Sequence, residues 1–169
     1  MPFGEPTTIP AVLSAFVDQI VASCELDTSQ VFLSLADDHD VSQFPPKDVF
    51  VQVAPREMVP IDGHVDGGGN SLFTCELTVA VNLWVRLGLD VVFQDADQLN
   101  HATLGHLVTW VKVLKALQQF YPAAETGAAA SIFAEPARCL RFAFQPRNPT
   151  NGWAKLPGLW RVPAVLDLS

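Results

Sequence analysis

Residues 73–85 read Phe-Thr-Cys-Glu-Leu-Thr-Val-Ala-Val-Asn-Leu-Trp-Val. Every odd position from Phe73 to Val85 is apolar, and Thr74, Glu76, Thr78, Ala80, Asn82 and Trp84 fill the even ones. Side chains in a strand alternate between faces, so this pattern predicts one long strand, half-buried and most easily built in an antiparallel setting. It is more than twice the usual strand length of roughly 5–6 residues. A strand so long either projects beyond its sheet or is covered by a partner. Trp84 falls on the polar face beside Arg86 and Asn82. An exposed Trp next to an Arg is the composition of an interface hot spot.

The neighbouring segments supply the rest of the sheet and its cover. Thr8 is placed to cap a helix whose apolar face is Ile9, Leu13, Phe16, Val17, Ile20 and Val21. Residues 31–35 make a short strand, and Val49, Val51 and Val53 alternate into a second. Residues 54–72 hold Pro55, Pro60, Gly63, Gly67, Gly68, Gly69 and Asn70, which predicts a mobile Gly/Pro-rich arm between strands. Asp95 and Gln98 fit a capping box for a long helix over about 96–121, stopped by Pro122. Residues 123–130 read as a loop. Residues 138–144 alternate as a strand, residues 146–152 form a turn, and residues 160–168 make a last strand. Pro163 removes a ladder donor, which places that strand at an edge. The expectation is one α+β domain over residues 1–169. It has a single antiparallel or mixed sheet of about five strands, flanked by an N-terminal helix and one long central helix.

Composition limits the function. The chain has 169 residues, is 49% hydrophobic and 17% charged, and carries net charge −8. A chain of this size buries about 70% of its unfolded surface and needs no staple to fold. The charge is split: residues 1–97 hold fifteen acidic and three basic side chains, residues 98–169 three acidic and seven basic. An ordinary nucleic-acid binder needs basic residues in excess, so that class is excluded. Cys24, Cys75 and Cys139 form no CxxC pair and read as buried thiols. No apolar run is long enough for a membrane helix, and no positively charged, apolar leader opens the sequence; cytoplasmic synthesis is expected.

The motifs of catalysis and ligation fail on spacing. His101 and His106 sit five apart on the expected helix, about 140° apart in direction, and cannot share a metal. Asp62-Gly63-His64-Val65-Asp66 lacks the alternating oxygens and closing Glu of a calcium loop. Asp37-Asp38-His39-Asp40 reads as a solvated turn. There is no GxSxG elbow, no phosphate loop and no dinucleotide fingerprint at Gly67-Gly68-Gly69. No enzyme, cofactor or metal is expected.

Three blocks carry a resemblance. They are the opening helix with the strand at 31–35; Leu77-Thr78-Val79-Ala80-Val81-Asn82-Leu83-Trp84-Val85-Arg86-Leu87-Gly88-Leu89-Asp90 followed by Asp95-Ala96-Asp97-Gln98-Leu99; and the closing strands at 138–144 and 160–168. Their order resembles that of bacteriophage tail terminator (tail completion) proteins, which are recognised by shape and order more than by invariant motifs. The resemblance implies a virion structural protein at the head-proximal end of the tail. There it would form a ring, typically a hexamer, that caps the tail tube and joins it to the head connector. Its partners would be copies of itself, the tube protein and a connector or neck protein, with genomic DNA passing through the lumen unbound and no membrane involved. It brings no catalytic residues. Candidate contacts for the ring or tube are Trp84, Arg86, Gly67, Gly68, Gly69, Arg138, Arg141, Arg147 and Arg161. The acidic first part and the basic last part are expected to supply complementary patches. Another head–tail junction protein, or an unrelated small-ligand or enzyme domain, is the alternative.

Overall fold

A computed structural model describes residues 5–35, 44, 46–65, 72–86, 106–124, 127–143, 147–150 and 153–167. In chain order the elements are α1 (Ile9–Cys24), a 3-10 turn (Thr28–Gln30), β1 (Val31–Leu33), β2 (Val49–Val65), β3 (Leu72–Arg86) and α2 (His106–Leu117). They continue with β4 (Ala123–Ala124), β5 (Gly127–Ser131), β6 (Arg138–Phe142), β7 (Arg147–Thr150) and β8 (Trp153–Asp167). The main sheet runs β1-β2-β3-β8-β6, with β7 also on β8, and β4 pairs with β5 separately. β1 joins β2 in parallel, and the other pairings are antiparallel. The class is α+β with a mixed sheet, as the sequence pattern predicts.

Residues 73–85 form the middle of this sheet. β3 pairs along its whole length with β8, from Leu72 opposite Asp167 to Arg86 opposite Trp153. Fifteen residues at strand rise span about 50 Å. The odd residues Cys75, Leu77, Val79, Val81, Leu83 and Val85 join one core with Leu156, Trp160, Val162, Ala164 and Leu166 of β8. α1 closes that core with Val12, Leu13, Phe16, Ile20 and Cys24, and α2 with Trp110, Val113 and Leu117. The Thr8 hydroxyl accepts from Ala11 N at 3.3 Å and caps α1. Both helices therefore lie on one face of the sheet.

Proline positions account for two departures from the sequence reading. Residues 54–65, expected in a loop, continue β2 against β3. The last strand, expected at an edge and from residue 160, begins at Trp153 and lies between β3 and β6. In an extended residue N–H and C=O point to the same edge. Pro157 O accepts from Ala143 N at 3.0 Å and Pro163 O from Ala134 N at 2.7 Å. Each missing N–H thus lies away from β3, and the β3–β8 ladder loses no donor. Val53 O accepts from Ser34 N of the β1 side, so Pro55, two residues on, also points outward. After a register shift at 55–57, Pro60 opposite Cys75 falls on the same outer edge. A proline breaks a strand only where its donor is needed.

The helix expected over 96–121 is seen from His106 to Leu117, and its first part falls outside the described residues. It ends before Pro122 because Gln119 takes a left-handed conformation (φ 59) and its N–H turns to Ala137 O. The loop expected over 123–130 carries the β4–β5 pair, and the turn expected over 146–152 carries β7.

Candidate interface on the open sheet face

The even residues of β3 and the odd residues of β8 make the sheet's other face. Among the described residues no helix packs on it. Three zones follow one another along the strands.

The first is aromatic. Phe50, Trp84 and Trp153 form a small buried cluster, with Phe32 and Phe44 against it. Phe44 stacks on Phe50 at 4.2 Å and meets Trp153 edge-on at 4.9 Å. The expectation of an exposed Trp84 is corrected here: it is 4% exposed, covered by aromatic rings and not by a helix. Its Nε1 donates to Gln52 Oε1 at 3.0 Å, and Asn82 Nδ2 donates to the same oxygen at 3.3 Å. One acceptor thereby satisfies two donors in a site where a lost partner is costly. Lys155 Nζ sits 5.4 Å from the Trp84 ring centre, within cation–π range.

The second zone is an open groove lined by Arg56, Glu57, Thr78, Ala80, Asn82, Arg141, Pro157, Gly158 and Leu159. Ala80 and the Gly158 backbone make its floor low, because neither raises a long side chain between the strands. Asn82 is 2% exposed and lines this groove as well as bonding Gln52. Arg141 is exposed on β6.

The third zone is ionic. Arg161 Nε lies 3.1 Å from Glu76 Oε2, diagonally across the β3–β8 ladder. Arg138 pairs with Glu135 at 2.9 Å. These pairs are half-exposed and each contributes about 0–1 kcal/mol.

Arg138, Arg141 and Arg161 thus fall on or beside one surface, with Arg86 exposed at the aromatic end of β3. Arg147 lies opposite Lys155 in the β7–β8 register. Gly67, Gly68 and Gly69 lie outside the described residues, as do Asp37, Asp38, His39, Asp40 and His101. Among the described residues the acidic and basic sequence halves interleave: β2 and β3 share a sheet with β8, and Glu76–Arg161 and Glu25–Lys112 bridge the two halves.

Sequence reasoning missed Gln52, Phe50 and Arg56. Gln52 stands alone among valines in 49–53, and a lone polar residue in a buried strand signals a hydrogen-bonded network. That signal was available. The pairing of Gln52 with Asn82 depends on register, which the sequence does not print.

The thiols are held back from ionising. Burial pushes Cys24 up to about 11, with Lys112 opposing, and raises Cys75 and Cys139. Among the described residues no three His, Cys, Asp or Glu side chains gather into a metal site. No helix among them is long and apolar enough to cross a membrane. Compared with known proteins, the chain matches no protein-family model and no curated protein.

Proposed function

We propose that this chain is a structural subunit of a phage tail or tail-like particle, of the tail terminator kind. It would assemble as a ring that caps the tube and meets the head connector. The observation that carries the reading is the element order: helix, short parallel strand, a pair of very long strands, helix, then closing strands on the far side. The resemblance in sequence rests on the same order, with residues 87–90 and 95–99 of its second block outside the described residues.

The physics of the surfaces supports a ring. A head-to-tail interface joins two different patches of the same chain, and it closes when the rotation per subunit permits. The helix-covered face and the open sheet face are different surfaces of the chain. The long β2 edge carries Met58 and Val59, 39% and 44% exposed. The role needs no catalytic group. Its net negative charge suits a passage through which DNA must slide without sticking.

Electron microscopy of the purified protein, alone and mixed with tail tubes, tests the reading. Rings with a central hole, or caps on tube ends, are expected. A protein that stays monomeric and leaves tube ends bare overturns it. Binding to a connector ring in preference to the tube would reassign the chain to the neck.

A further inference from the structure

We infer that the groove between Arg56 and Arg141 receives the outer side of α1, with its exposed Asp18, from the next copy of the chain. The inference rests on the ring reading and names its subunit contact.

The groove side is built from the open sheet face. Arg141 is exposed and makes no ion pair among the described residues. Asn82 lines the same groove, is buried, and commits its Nδ2 to Gln52. An arginine and a polar floor in a low groove suit an incoming side chain that brings a carboxylate.

The same chain offers such a carboxylate elsewhere. α1 turns Val12, Leu13, Phe16 and Ile20 to the core and leaves Ala11, Ser14, Asp18 and Ala22 exposed. Beside it runs a second groove, whose lining includes Glu5 and Asp18 and no lysine or arginine. Neither acid makes an ion pair among the described residues. α1 covers one face of the sheet, and the arginine groove opens on the other. The two surfaces cannot meet within one chain, so their complementarity is satisfied only between copies, which is the head-to-tail arrangement.

The sheet edges favour this over strand addition. Pro55 and Pro60 take donors from the outer edge of β2, and a register shift at 55–57 bends it. β6 carries a shift between Cys139 and Arg141. With the edges blunted, the open face, on which no described helix packs, remains for a neighbour. Glu57 on the groove rim repels an incoming acid and directs it towards Arg141, which fixes register.

Charge reversal tests the pairing. Arg141→Glu and Asp18→Arg are made singly and together, with thermal melting to confirm folding. Assembly is followed by sedimentation and electron microscopy, with and without tail tubes. Each single reversal should weaken subunit association about tenfold or more, and the double variant should recover most of that loss. The neutral variants Arg141→Gln and Asp18→Asn should weaken it less. Rings that persist in both single reversals, or a double variant no better than the singles, overturn this contact and leave the ring reading standing. A wild-type chain that neither forms rings nor caps tubes overturns both.

Discussion

Replacing Gln52 by Met removes the acceptor that Trp84 and Asn82 share on the open face, together with the amide's further contact. Gln52 is fully buried, and Met keeps its length and volume. Two buried donors, Trp84 Nε1 and Asn82 Nδ2, lose the oxygen they share. Each orphaned donor costs about 1–3 kcal/mol. Sparing the burial of one amide returns about 1–3 kcal/mol. The net expectation is a loss of about 2 kcal/mol. With a urea slope of roughly 1–3 kcal/mol/M, the midpoint should fall by about 1–2 M at unchanged slope. Gln52→Met combined with Asn82→Leu and Trp84→Phe deletes donors and acceptor together. That triple variant should be more stable than Gln52→Met alone, because it leaves neither of these two donors stranded. A Gln52→Met protein within about 0.5 kcal/mol of wild type would refute the reasoning. So would a triple variant whose losses simply add.

Three further outcomes follow from the same packing. A Cβ on Gly158 would lie 2.5 Å from Trp160 Cζ3 and 3.0 Å from Val81 O; overpacking at about 1–3 kcal/mol outweighs the roughly 0.5–1 kcal/mol that Ala gains over Gly in a strand, so Gly158→Ala should destabilise in urea titration and become neutral when Trp160 is also Leu. Trp110 Nε1 donates to Ala143 O at 2.7 Å, whereas the Trp160 Nε1 is buried with no partner among the described residues; Trp110→Phe should therefore cost about 1 kcal/mol more than Trp160→Phe, and equal losses would count against that assignment. Cys24 holds its proton up to about 11 when folded and to about 9.0 when unfolded, so the unfolded chain releases its proton first as pH rises and stability falls above about pH 9. The urea midpoint should drop between about pH 8 and about pH 10, by less in Cys24→Ala.

The sequence was most readable where a single period governs both faces. The alternation of 73–85 predicted β3 because its odd side chains all enter one core, and Ile9 to Val21 predicted α1 for the matching reason at period 3.6. It was least readable at prolines and at Trp84. Pro55, Pro60, Pro157 and Pro163 look like breaks in a one-dimensional reading. Whether each is one depends on which edge its absent N–H would face, and the fold alone decides that. Trp84 looks exposed because it alternates with buried residues. Its face is nevertheless closed at that end by Phe44, forty residues earlier in β2's approach, and by Trp153 from the other end of the chain.

The burial of Trp84 shifts where an assembly contact belongs. A large aromatic anchor at the sheet end would have favoured a mainly apolar interface. With that end sealed, the open face presents Arg56 and Arg141, with Glu57, around a shallow polar groove, and the groove beside α1 presents Glu5 and Asp18. Interfaces of that composition associate by charge steering and depend on ionic strength, since exposed charges are screened within about 8–10 Å at physiological salt. Subunits joined in this way can stay separate in solution and close into a ring on a template that concentrates them, such as a tube end. Raising salt should then dissociate free rings before it strips capped tubes, because the tube adds contacts that the free ring lacks. A ring that tightens in high salt would mean that apolar surface such as Met58 and Val59 holds it instead.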